Sequence, residues 1–348
     1  MVNRNKYITD FRRDVSSNFN DMLESITIQL ERNELHTRWG PKEQDRYSNV
    51  DIEEFITGEE FLGPLLKETD DGSGNKVPGL WPCHKEDLIL LNDFRRTHDV
   101  DLFVDIEAIG SGKSFKAATF ASWGVFEIYT TPQFYQKFRM APGSEVSIIC
   151  MGRTAAQSKD VTYRKVLPFL YTDFMKKYFP PKFDIAKFEA GERFPGMLQL
   201  PGNKFIFPGT GNAGRALGYS PYIGIVDEAN HLQLTAESKR AEGIAYGGKY
   251  DAAEQIFTAI GGRIGSRFRL GGKNHGAMIM MSDPRFVGDF LERRFEESSK
   301  AKDFYRVDKD RFVGGKTFCV RRDHWTAKPW AYCGETFKFD TDKLVVIE

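Results

Sequence analysis

A chain of 348 residues that is 41% hydrophobic and 28% charged, with 29 phenylalanines, has apolar material for one large or two modest folded domains. Its 49 Lys and Arg balance 49 Asp and Glu, which argues against a protein wrapped wholly in nucleic acid but leaves room for a local basic patch. Cys83, Cys150, Cys319 and Cys333 form no C-x-x-C pair, no apolar run is long enough to span a bilayer, and no apolar stretch follows Met1–Lys6, so a reduced, cytoplasmic chain without zinc, disulfides or a signal peptide is expected.

In chain order, Phe19, Met22, Leu23, Ile26 and Leu30 fall at helical spacing and predict a packing or partner-docking helix over 14–33. Asp51 opens a short helix, and Asp70–Asn75 is a loop. Leu80-Trp81-Pro82 leads into a helix from His84 to Phe94, where His84 either caps the helix or faces a nucleotide base. The apolar run Leu102-Phe103-Val104 then predicts a buried strand. Asp105-Ile106-Glu107-Ala108-Ile109-Gly110-Ser111-Gly112-Lys113-Ser114 follows it, and Phe115–Ala121 starts a helix.

Further strands are predicted at Glu145–Met151, Tyr222–Val226 and Gly276–Met281. A helix is predicted at 155–170, a hairpin at 197–207 around Pro201-Gly202-Asn203, and a helical segment at Asp251–Arg269. Strands alternating with helices imply a mostly parallel sheet with ligands at its carboxyl edge. Lys113-Ser114, Asp227-Glu228 and Ser282 should meet along that edge.

Strand, glycine-rich turn, Lys-Ser and helix is the context of a phosphate-binding loop. Gly110, Ser111 and Gly112 let backbone N–H groups turn inward, Lys113 reaches the β/γ-phosphates, and Ser114 supplies a hydroxyl for Mg²⁺. The first position of the G-x-x-x-x-G-K-[ST] pattern holds Glu107 instead of glycine. Nucleotide hydrolysis also needs a metal holder and a residue that orients water. The strand Ile223–Val226 ends in Asp227, placed to hold Mg²⁺, and Glu228, placed to polarise the attacking water.

Arg215, in the Gly-rich run 211–218, either reaches the phosphate of a neighbouring subunit or lies in a surface loop. Ser282 either senses the γ-phosphate or ends its strand before Pro284. Arg263, Arg267, Arg269 and Lys273 form a basic run that either meets a phosphodiester backbone or is a solvated helix face.

With these residues in place, the chain resembles the ATPase domain of tailed-phage large terminases. The matching segments are Glu54–Gly63 with Leu80-Trp81-Pro82, Gly110–Ser114, Arg215–Gly218 with Ile225–Ala229, and Met280–Pro284, with Trp325 where an aromatic often follows. The resemblance implies an α/β P-loop NTPase with a RecA-like additional-strand core. It implies a helical N-terminal region (1–75), an ATPase core (76–285) and a small lid or linker (286–348). It implies ATP and Mg²⁺ as ligands, with Lys113, Ser114 and Asp227 binding phosphate and metal and Glu228 as the catalytic carboxylate. Arg215 would be a finger acting across a subunit boundary, and Ser282 would couple hydrolysis to movement.

Implied partners are double-stranded DNA, the portal protein, the small terminase subunit and a homo-oligomeric ring on the procapsid, with no membrane. The place of action is the host cytoplasm, transiently at the portal. Ile109 stands where many members have Arg, and His84 where members often have Gln. The length after Ser282 is too short for a nuclease domain, so a motor domain alone is expected. A helicase-type translocase and a non-catalytic nucleotide-gated protein are the rival expectations.

Overall fold

The computed structural model describes residues 46–70, 76–141, 144–178, 198–200, 202–210, 219–232, 234–235, 250–286, 288–329, 338–340 and 345–347. The expected helix over 14–33 and the Arg215 loop lie outside these residues.

The fold is built from an alternation of apolar strands and amphipathic helices. Helix α1 (Ile52–Thr57) starts where the Asp51 carboxylate accepts the Glu54 N–H at 2.8 Å. Helix α2 (Pro82–Thr97) starts with proline at its first position and ends with Arg95 and Arg96 in its last turn. Strand β1 (Leu102–Glu107) is buried along its whole length and runs through the glycine-rich turn into α3 (Lys113–Thr130). Strand β2 (Val146–Gly152) follows. Strands β3 (Leu198–Leu200) and β4 (Lys204–Thr210) form the expected hairpin, with Gly202 and Asn203 at φ +74° and +62° in its turn.

Strand β5 (Pro221–Asp227) carries the Asp-Glu tip, and β6 (Ala277–Ser282) ends at the expected serine. Helix α4 (Phe290–Ser299) and strands β7 (Tyr305–Arg306), β8 (Arg311–Gly314) and β9 (Thr317–Arg322) come next, before the short helix α5 (His324–Ala327). The two longer helical stretches contain π turns. Residues 155–171 pass through a π segment at Ser158–Tyr163, and 252–267 through one at Phe257–Gly261. Such turns gather where a helix is adjusted to a site.

The main sheet has nine strands in the order β7-β8-β9-β1-β6-β5-β2-β4-β3. From β9 to β4 every neighbouring pair is parallel, and the two ends are antiparallel. β6 lies between the loop strand β1 and the Asp-Glu strand β5, so this is an additional-strand P-loop core. Successive β1 residues face opposite layers. Phe103 packs with Leu88, Leu91, Phe94 and Phe120 from α2 and α3, whereas Leu102, Val104 and Ile106 pack with Ile256, Ile260 and Leu291 from the other side. The result is a sheet between two helical layers.

The expected boundary at 285 falls inside this architecture. α4 contributes Phe290 and Leu291 to the second layer's core, and β9 pairs in parallel with β1, bringing Arg322 opposite Glu107. Residues 290–322 therefore belong to the core, and not to a separate lid. A run ending in Arg321-Arg322 does not read as a buried strand until the partners of Arg322 are known. Among the described residues, no helix is long and apolar enough to cross a membrane.

Candidate nucleotide-binding site

The loop between β1 and α3 depends on backbone conformations that side chains resist. Gly110 and Gly112 sit at φ +76° and +88°, the left-handed region that glycine enters without penalty. A Cβ on Gly112 would stand 3.1 Å from the His84 ring and 3.4 Å from Trp81, so the second glycine also answers to space. Helix α3 begins directly at Lys113, which points its first free N–H groups at the turn.

Lys113 Nζ donates to the carbonyls of Glu107 (2.8 Å) and Ala108 (2.9 Å), so its ammonium lies folded back over the start of the loop. The Ser111 hydroxyl is fully buried and has no hydrogen-bond partner among the described residues. A loop with inward N–H groups, an ammonium held by two carbonyls and a buried hydroxyl without a partner among the described residues fits a polyanionic ligand.

The Asp-Glu tip of β5 comes to the same place. Ser114 Oγ donates to Asp227 Oδ2 at 2.8 Å, joining the loop helix to the strand two places away in the sheet. Thr162 Oγ1, from the π turn after β2, donates to the same oxygen at 3.2 Å. Burial raises the Asp227 carboxyl above its usual range, against the two hydroxyl bonds, which pull it down. A hydroxyl and a buried carboxylate in contact are a donor set suited to Mg²⁺.

Glu228 follows in a left-handed conformation, φ +54°, and its carbonyl accepts the His231 N–H at 2.9 Å. A non-glycine residue in this region marks a strained turn of the kind found at functional sites. At the tip of β6, the Ser282 hydroxyl is buried without a partner among the described residues, and the next residue, Asp283, binds His231 Nε2 at 2.9 Å.

Lys113, Ser114 and Asp227 are thus brought together, with Glu228 next to Asp227. Ser282 ends the strand between β1 and β5. His84 sits behind the loop. It is 1% exposed, stacks on Trp81 with ring centroids 4.9 Å apart, and directs Nε2 to Glu107 Oε2 at 3.1 Å. Burial, followed by the Lys116 charge, lowers its pKa, and Glu107 opposes that effect. A neutral ring beside an ionised carboxylate carries its proton on Nε2 and donates it. His84 thus stands against the loop, between Trp81 and Glu107.

Glu107 is the centre of a buried ionic network that the sequence did not disclose. Lys116 Nζ donates to Glu107 Oε1 (2.8 Å) and Asp87 Oδ2 (2.9 Å), and lies 2.9 Å from Asp105 Oδ2. Arg322 grips Asp87 with both terminal nitrogens and donates Nη1 to Glu107 Oε1 at 3.1 Å. Burial disfavours both cations, but the surrounding carboxylates outweigh it and hold them charged. Asp87 and Glu107 are likewise held low by Lys116 and their other cationic or hydrogen-bonding neighbours despite their burial.

Asp105 differs. Neither of its oxygens has a hydrogen bond of good geometry, and burial, then the Glu107 charge, pushes it up to about 7. The signals that could have revealed this network are the alternation of β1, which turns Asp105 and Glu107 to one face, and Lys116 one helical turn beyond Lys113.

Of the basic run considered for DNA, Arg263 donates to the Tyr219 carbonyl at 3.0 Å. Arg269 binds Asp99 and Asp101 at 2.8 and 2.5 Å. These two arginines are occupied within the fold.

No curated protein matches the sequence. Among solved structures, the chain is similar to the HK97 bacteriophage large terminase, with a TM-score of 0.42 and 14% identity over 78% of this chain and 43% of that one. It is similar to a Thermus phage large terminase ATPase domain, with a TM-score of 0.36 and 14% identity over 66% and 79% of the two chains. It is also similar to the large terminase of a thermophilic bacteriophage, with a TM-score of 0.38 and 10% identity over 70% and 45%. The chain therefore spans less than half the length of the HK97 protein. A family model covers residues 80–322, the stretch from just before α2 to the end of β9, and by that match the chain belongs to the family described as uncharacterized protein MJ0330, N-terminal P-loop domain.

Proposed function

We propose that this chain is an ATP-hydrolysing motor domain of the kind that drives double-stranded DNA into a viral procapsid. The observation that carries the ATPase part is the Ser114–Asp227 contact at 2.8 Å. It unites a phosphate loop, a metal-holding pair and the adjacent Glu228 at one sheet edge. Lys113 would move from the carbonyls of Glu107 and Ala108 to the β/γ-phosphates, and Ser114 and Asp227 would hold Mg²⁺. The metal supplies charge neutralisation for the phosphates. Glu228 would accept a hydrogen bond from the attacking water and orient it. Ser282 would respond to the γ-phosphate.

The translocation part rests on the order of motifs, phosphate loop, Arg215, Asp-Glu and Met280–Pro284, which resembles large terminases. On this reading Arg215 completes the site of a neighbouring subunit in a ring at the portal, and the small terminase subunit is a further partner. Phosphate release from ATP should be slow for the isolated chain and rise with double-stranded DNA or with assembly. Mixing Arg215→Ala with Lys113→Ala subunits should partly restore hydrolysis, because each supplies what the other lacks. No rescue at any ratio excludes a finger in trans, and unwinding of forked duplexes would favour a helicase.

A further inference from the structure

The first position of the phosphate-loop pattern is commonly glycine, with no side chain to satisfy. Here it is Glu107, fully buried and bound by Lys116, Arg322 and His84. Ion networks at this depth seldom add stability over apolar residues of the same shape, because each charge loses its water. What such a network does supply is fixed geometry, since every member has only one place where it is paired.

The geometry concerns the catalytic lysine. Lys113 and Lys116 stand one turn apart on α3 and hold the same residue: Lys113 the Glu107 carbonyl, Lys116 the Glu107 carboxylate, each at 2.8 Å. When Lys113 leaves the carbonyl for a phosphate, Glu107 would follow or relax unless its side chain were fixed. Arg322 fixes it from β9, and Asp87 fixes Arg322 in turn from α2. The same end of β9 reaches the outer side of the loop, where His324 Nε2 donates to the Ile109 carbonyl. The loop is thus held at its start and at its rim by residues two apart in sequence.

We propose that Glu107 and Arg322 are positioning residues for the phosphate loop, setting the place from which Lys113 exchanges between backbone carbonyls and a nucleoside triphosphate. This rests on the ATPase reading. A matched control lies at the other edge of the sheet. There Glu127, in the last turns of α3, is itself buried and bound by Arg95 at 2.6 Å, by Tyr222 at 3.1 Å and by the partly exposed Arg96, in a network remote from the loop.

The test is equilibrium titration with ATP of the native chain, Glu107→Gln, Arg322→Gln and Glu127→Gln, with a thermal melt of each. The two loop variants should bind ATP about 10- to 100-fold more weakly, as expected when a binding group is displaced by a fraction of an ångström to an ångström. Glu127→Gln should lose melting temperature to a similar degree and keep native affinity. Should Glu107→Gln fail to fold, Arg322→Lys keeps the charge and loses the two-pronged grip on Asp87, and its affinity should fall without the control's doing so. Equal losses of affinity in the loop and control variants, or native affinity in a folded loop variant, overturn the positioning role. A native chain that binds no ATP overturns the ATPase reading itself, a result separable from both.

Discussion

Arg322, at the end of β9, stands opposite Glu107, at the end of β1, and its Nη1 donates to Glu107 Oε1 at 3.1 Å. This contact extends the core beyond the Asp-Glu strand and the serine tip to residue 322. It makes the last strand of the sheet part of the phosphate-loop support. Any fragment ending near residue 285 would leave Asp87, Glu107 and Lys116 buried without Arg322.

The loop's second glycine is open to a direct test. Gly112→Ala places a side chain at φ +88°, 3.1 Å from the His84 ring. The conformation alone costs about 1–3 kcal/mol, and either the loop or His84 must move. ATP binding should fall by about tenfold or more, since about 1.4 kcal/mol is a factor of ten. Gly262→Ala, in open space on a helix, should leave binding unchanged. Native affinity in Gly112→Ala would show that the left-handed turn is dispensable.

Asp105 gives the core a pH dependence. Its carboxyl, beside Glu107, Lys116 and Asp87, is pushed up to about 7 by burial and by the Glu107 charge, from 3.8 in the open chain. Between those values the folded chain holds a proton that the unfolded chain has released. Stability from this group is therefore present at low pH and declines as pH rises towards about 7. Asp105→Asn should flatten the melting temperature between about pH 4 and 7 and melt above the native chain at the upper end. Parallel profiles for the two proteins would place the proton elsewhere.

Thr162 was not foreseen as a site residue, and its hydroxyl offers a second handle on Asp227. Thr162→Val keeps the shape and removes the 3.2 Å bond to Oδ2. Groups that orient a metal-binding carboxylate commonly contribute about 10–100-fold to metal affinity or activity. The Mg²⁺ concentration for half-maximal ATP turnover should rise by about tenfold, with little change in saturated rate. An unaltered Mg²⁺ requirement would assign Thr162 to packing alone.

Much of this site was legible because its signals are local. Leu102–Val104, Tyr222–Val226 and Gly276–Met281 are apolar runs that lie in buried strands, and the second ends in Asp227, which accepts from Ser114 beyond the first. The Gly-x-Gly-Lys-Ser turn carries its own conformational requirement. What stayed hidden depends on partners distant in sequence. Glu107 resembled a missing glycine because its cations stand at 116 and 322. The contact of His84 with Glu107 was hidden because 23 positions separate them in sequence. β9 ends in two arginines, one of them buried only because Asp87 and Glu107 await it. Thr162 became visible only when the π turn after β2 brought it to Asp227.

The central claim is hydrolysis of ATP at the meeting of the loop and the Asp227-Glu228 tip. The most direct measurement is phosphate release and ATP binding side by side for the native chain and Glu228→Gln, with Mg²⁺ and double-stranded DNA present. The account predicts native turnover, retained binding in the variant, and a loss of rate of about 10²–10⁴-fold, the range for removing a general base. Turnover in Glu228→Gln equal to that of the native chain, or no turnover by the native chain under any of these conditions, would contradict it.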